Sequence, residues 1–280
     1  MSKTPLDLGT LLDGGLALFR RRPRAVVVWT LIYVAATAGA DLAVRQILMS
    51  NPAGQGGGLS IFLIQLLLVL VSPVLLTAAM RALLRPRETD FVSLDASMDE
   101  LRVIVIAFVL SLAFAVIDLV CNLVLGRFVL ATLSPAIALM ALLVPLLIAA
   151  CLFARLSLAF PLALVHRRIQ FEEAWELSAG LFLPFFLAYA IIAIGMILLG
   201  LAISAAMNWA TLAVLSGGQV IGPSAVQPLR IITPVDGLTM LSWLLYGIQG
   251  TFGVVFTAGV MVAGKRALVP DTEELTDTFS

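Results

Sequence analysis

Apolar residues run through this chain in long, unbroken stretches rather than in alternation. Crossing a bilayer core takes about 20 apolar residues in a helix, and only helices or closed barrels satisfy their backbone in lipid. Continuous runs select helices, because barrel strands alternate apolar and polar positions. The pattern predicts spans at Arg24 to Met49, Leu59 to Leu84, Val103 to Leu125, Ser134 to Phe153, Phe182 to Val214 and Leu238 to Ala263. The fold class expected is all-α: a polytopic membrane protein with six transmembrane helices and amphipathic interfacial helices.

Between the spans the period changes. Residues 5–19 carry Leu8, Leu11, Leu12, Leu16 and Phe19 at helical spacing, which predicts an amphipathic helix lying on the membrane surface. Phe91 to Leu101 leads into span three in the same way, and Phe171 to Phe182 into span five. LLDGGLALF and AWELSAGLF align without gaps, matching Leu12, Asp13, Leu18 and Phe19 to Trp175, Glu176, Leu181 and Phe182. The expectation is three repeated units, each a surface helix followed by a two-span hairpin, with the middle unit fitting less well. The stretch 128–165 would run about 57 Å as one helix, against a core of about 30 Å. It is therefore expected to pass Arg155 near one interface and bend at Pro161 into a loop.

Composition agrees with the membrane class. Hydrophobic residues make up 61% of the chain and mean hydropathy is +1.09, where soluble domains are roughly half apolar. No stretch between spans could bury a core of its own, so residues 1–280 read as a single membrane domain: residues 5–19 the interfacial helix, 24–263 the bundle, 264–280 a tail.

Net charge is zero, but its placement is lopsided. With the N-terminus inside, Lys3, Arg20, Arg21, Arg22, Arg24, Arg81, Arg85, Arg87, Arg102, Arg155, Arg167, Arg168, Lys265 and Arg266 fall on the cytoplasmic side. Only Arg45, Arg127 and Arg230 remain outside. The positive-inside rule gives both termini in the cytoplasm. No cleavable signal peptide is expected, because Asp7 and Asp13 precede the basic cluster.

Candidate chemistry is sparse. LSGGQ at Leu215 to Gln219 and GVMVAGK at Gly259 to Lys265 imitate nucleotide-binding signatures. The second lacks the Ser or Thr that would hold magnesium and lies in an apolar span. The first falls outside the cell under the expected topology. His166 is the sole histidine, no GxSxG elbow occurs, and Cys121 and Cys151 lie within spans. No catalytic residue, metal ligand, cofactor, nucleotide or nucleic-acid partner is expected.

Two sets of polar residues stand out. Arg20, Arg21, Arg22 and Arg24 surround Pro23, and with Arg155, Arg167 and Arg168 they form the candidate lipid-headgroup site. Basic clusters beside spans attract anionic lipid by about 1 kcal/mol per charge. Asp41 with Arg45, and Asp118 with Asn122, sit four apart near the far ends of spans one and three. They read either as a polar network pinning helices or as an outward-facing vestibule.

The stretch Arg155 to Gly180, RLSLAFPLALVHRRIQFEEAWELSAG, resembles the bacterial glycerophosphoryl diester phosphodiesterase membrane-domain family and related YciC-type inner-membrane proteins. The shared pattern falls on Arg155, Ser157, Pro161, Ala174, Ser178 and Gly180. The fused phosphodiesterase domain is absent from this sequence, so the resemblance implies no catalysis. It implies a role near phospholipid headgroups. The function expected is a non-enzymatic inner-membrane protein that organises lipid, anionic lipid included, or supports a membrane-protein partner. The alternative is a small-molecule or lipid transporter built from the repeated hairpins.

Overall fold

The computed structural model describes residues 8–50, 58–85, 98–132, 135–216 and 237–268, of which 122, 124–132, 135–142 and 211–216 are described by their backbone alone. The chain is helical, with no strand among the described residues. The helices are α1 (Leu8–Arg21), α2 (Pro23–Ser50), α3 (Gly58–Leu84), α4 (Met98–Thr132), α5 (Pro135–Leu156), α6 (Ala159–His166), α7 (Phe171–Ser178), α8 (Phe182–Ser216) and α9 (Gly237–Leu268). Among the described residues, six segments are long and apolar enough to cross a membrane. The expected spans fall on α2, α3, α4, α5, α8 and α9.

Prolines set the breaks. Pro23 opens α2, where its missing N–H costs nothing, and pushes Arg22 out of the helix between α1 and α2. Pro161 cannot donate to the Ser157 carbonyl four residues back. That carbonyl accepts instead from Phe160 N at 3.4 Å, and the chain turns at Ser157 and Leu158. The bend therefore precedes Pro161 rather than falling on it. The segment beyond this turn is a helix and not a loop, and α6 is buried from Ala159 through Leu164.

Helix α9 is the axis of the bundle. It packs against α1, α2, α3, α6 and α8. Its glycines admit neighbours closely: Gly247 faces Val34, Gly250 faces the Tyr33 ring, Gly253 faces Met196 and Gly264 faces Phe185. On α8, Gly200 likewise lies against Gln249 of α9. Gly39, Ala202 and Ala206 are exposed, and nothing lies within 4 Å of a Cβ built on Gly39.

Burial is uneven along the spans. In α2 it is confined to Ala25, Val26 and Trp29, and in α3 to Pro73 through Leu83. In α4 it falls on Glu100, Val103, Ile106 and Leu110. These positions, with Ala154, Leu158, Phe185 and Val255 to Val262, form one core at the end of the bundle where the basic residues gather. Towards the opposite end α3 and α4 turn apolar residues outward, Leu59 at 71% exposure and Phe62 at 62%, as suits a lipid solvent.

The N-terminal helix docks on the bundle. Leu11, Gly15 and Leu18 on its apolar stripe are buried, and Phe19 packs on the Phe252 ring at 4.7 Å between centroids. Its main neighbour is α9. Protein therefore takes much of the face that the sequence assigned to the membrane surface, leaving Leu16 exposed and Leu12 partly so.

Candidate functional site

The described basic residues at the packed end divide by what each side chain meets. One group is committed to holding helices together. Arg81, in the last turn of α3, forks onto Glu100 in the first turn of α4, with Nη2 to Oε2 at 2.8 Å and Nη1 to Oε1. Asp99 stands 3.5 Å from Arg81 and accepts from Arg102 at 2.6 Å. Arg85 donates to the Leu164 carbonyl at 2.8 Å, tying α3 to α6, and Arg266 donates to the Leu83 carbonyl at 2.6 Å, tying α9 to α3. Lys265 is 1% exposed and engaged within the protein. Helix polarity favours this arrangement, with acids at the start of α4 and cations at the ends of α3 and α9.

Sequence reasoning did not single out the Arg81–Glu100 pair. The signal was present in the acids of MDELR opening one helix and the arginine closing the helix before it. Nothing in the spacing showed that the two ends meet.

A second group is presented outward. Arg20, Arg21, Arg24, Arg167 and Arg168 are exposed, while Arg22 is half-buried. Arg167 caps α6 in the left-handed region, at φ 55° and ψ 27°. That conformation suits glycine and costs an L side chain about 1–2 kcal/mol. It ends α6 and starts the exposed run Arg167 to Ile169.

Arg155 belongs to neither group. It closes α5, with its guanidinium carbon 5.1 Å from the centroid of the Trp175 ring and 5.2 Å from that of Phe182. Those rings come from α7 and from the first residue of α8. Its Nη1 is buried without a hydrogen-bond partner. Gln170 Oε1 shares that condition. Of the seven arginines proposed for headgroup contact, the structure thus exposes five, half-buries Arg22 and sets Arg155 between aromatic rings.

The intramembrane polar residues lie towards the other end. Asp41 accepts from Arg45 Nε at 2.8 Å and from Trp243 Nε1 at 3.0 Å, which joins α2 to α9. Further along, Tyr33 and Ser72 share a hydrogen bond at 2.8 Å, Gln249 donates to the Met196 carbonyl at 2.8 Å, and Ser204 meets Tyr246 at 3.0 Å. These contacts tie α2 to α3 and α8 to α9. Asp118 and Gln65 occupy exposed positions on α4 and α3. The Asn122 side chain lies outside the described residues.

The nucleotide-like stretch Gly259 to Lys265 is continuous α-helix within α9. Gly259 lies against Gly14 and Gly15 of α1, so its missing Cβ serves helix contact. Of LSGGQ, residues 217–219 lie outside the described residues. Among the described residues no three His, Cys, Asp or Glu side chains converge as metal ligands would, and Cys121 and Cys151 are free.

Comparison with protein-family models, with curated proteins and with solved structures finds no match to this chain.

Proposed function

We propose that this chain is a non-enzymatic protein of the bacterial inner membrane, with both termini cytoplasmic, that organises phospholipid or supports a membrane partner through its basic end. The observation that carries the reading is the division of the arginines. Four are used inside the protein, whereas Arg20, Arg21, Arg24, Arg167 and Arg168 are left exposed at the same end. Arg167 occupies a backbone conformation that favours glycine, yet the turn carries an exposed arginine. Strained positions of this kind are a pointer to use of the side chain. The resemblance of Arg155 to Gly180 to the phosphodiesterase membrane-domain family supports the same placement near headgroups.

The test is lipid enrichment around the protein. Wild type and a variant with Arg20, Arg21, Arg24, Arg167 and Arg168 changed to Glu are extracted into polymer nanodiscs, and the enclosed lipid is analysed by mass spectrometry. The wild type is expected to enrich anionic lipid. Attraction of about 1 kcal/mol per charge corresponds to roughly fivefold per residue, so the variant should return to bulk composition. A correctly folded variant with undiminished enrichment would refute the proposal. Co-purification of a stoichiometric protein with the wild type alone would identify the supported partner.

A further inference from the structure

The packing of the surface segments obeys one cyclic rule. The opening of α4 seats on the end of α3, through Arg81 and Glu100. Helix α7 seats on the end of α5, through Arg155 and Trp175. Helix α1 seats on α9, through Gly14, Gly15 and Gly259. In each case the segment that begins one hairpin unit rests on the second span of another, and the three contacts close a ring. Each second span ends in a comparable way: Ala79-Met80-Arg81, Phe153-Ala154-Arg155 and Ala263-Gly264-Lys265, with Pro86, Pro161 and Pro270 five or six residues on.

This ring makes Arg81, Arg155 and Lys265 counterparts. Arg81 has the Glu100 carboxylate, and Lys265 is engaged within the protein. Arg155 has two ring faces and a buried Nη1 with no acceptor. Aligning the middle and last surface segments explains the difference. With Phe91 on Phe171 and Leu101 on Leu181, Glu100 falls on Gly180. The unit that should supply the carboxylate supplies a glycine. Gly180 is exposed, and a Cβ built on it would meet nothing within 4 Å. A cation flanked by two aromatic rings thus stands at the position that has an anion in the preceding unit, and the residue aligned with that anion is an exposed glycine. A guanidinium matches phosphate oxygens through its fork of N–H groups, and stacking fixes its plane.

We propose that Arg155 binds the phosphate of a membrane phospholipid in the place that Glu100 fills for Arg81. The inference rests on the lipid-organising reading and gives it a defined site. Trp175, 47% exposed beside the cation, presents an aromatic wall at that mouth. Glu172, Glu173 and Glu176 share α7 with it and bear on which headgroup is preferred.

The test counts tightly held lipid by native mass spectrometry. Protein is reconstituted with equal phosphatidylglycerol and phosphatidylethanolamine, then stripped in detergent. The wild type is expected to retain one phospholipid, whose mass identifies the headgroup. Arg155→Gln should lower retention by at least about tenfold. Gly180→Glu should do the same with Arg155 intact, because its carboxylate would take the place of the phosphate. The open space at Gly180 makes that variant compatible with folding, so it decides the matter if Arg155→Gln misfolds. Retention in Gly180→Glu equal to wild type overturns the site, as does absence of retained lipid in the wild type. Displacement of the lipid by millimolar inorganic phosphate would assign the site to soluble phosphate and overturn the lipid assignment. The five-arginine variant separates the two levels. If it loses bulk enrichment while Arg155→Gln and Gly180→Glu keep their lipid, the general reading stands and the Arg155 site falls. If neither enrichment nor retention responds, both fall.

Discussion

A Cβ on Gly14 would stand 2.5 Å from the carbonyl oxygen of Gly259. Helices α1 and α9 therefore approach to backbone contact, and a Cβ on Gly15 would meet the Phe256 ring at 2.6 Å. The obstacle at Gly14 is main chain, which cannot rotate away as a side chain can.

Gly259→Leu is accordingly expected to undock α1. Overpacking typically costs about 1–3 kcal/mol, and a backbone obstacle places this case near the upper end. A thermal melt in detergent should show the loss, and limited proteolysis should cut near α1 first. Gly39→Leu, on an exposed helix position, serves as the control and should leave both readouts at wild type.

The Arg81–Glu100 pair joins α3 to α4 with both side chains nearly buried. Arg81→Met leaves a buried carboxylate without its main partner and should destabilise by about 3–5 kcal/mol. The double change Arg81→Met with Glu100→Met should recover much of that, because apolar replacement of a whole buried pair is often near neutral. A double-mutant cycle in denaturant measures it. A double variant as unstable as the single one would show that Asp99 and Arg102 depend on the pair.

Arg167→Gly should separate structure from function. Relief of the left-handed conformation is expected to raise stability by about 1 kcal/mol. Loss of an exposed cation should at the same time reduce anionic-lipid enrichment. A drop in thermal stability would mean that the Arg167 side chain makes a contact important to the fold.

Trp243→Phe removes the indole donor to Asp41 while keeping an aromatic ring. Hydrogen bonds between membrane helices are worth about 0.6 kcal/mol on average, so a small fall in melting temperature is expected. Asp41 would retain Arg45. A large loss would instead assign the site a role beyond pinning α2 to α9.

The proposed orientation is open to labelling. With Cys121 and Cys151 changed to Ser, Ser280→Cys should react with a membrane-impermeant maleimide only after the cells are permeabilised. Reaction in intact cells would invert the topology.

Local sequence determined the helices and their breaks. A run such as Phe182 to Val214 has no alternative to a helix in lipid, because no water is there to satisfy a bare backbone. Pro23 and Pro161 each lack a donor, so breaks near them follow from covalent structure; only the position of the turn, at Ser157 and Leu158, waited on the packing of α6. The same local reasoning identified the basic residues as a group and could not divide them, since charge is a property of a residue and pairing is a property of a place. Arg81 and Arg155 look alike in sequence, each closing a span. One meets Glu100 because the ends of α3 and α4 converge, and the other meets Trp175 and Phe182 because α7 crosses the end of α5. Likewise the stripe on α1 announced an apolar face without saying what would cover it. Hydrophobic burial has no direction of its own, and it took Gly259 and the Phe252 and Phe256 rings of α9, brought near from the far end of the chain, to cover that face.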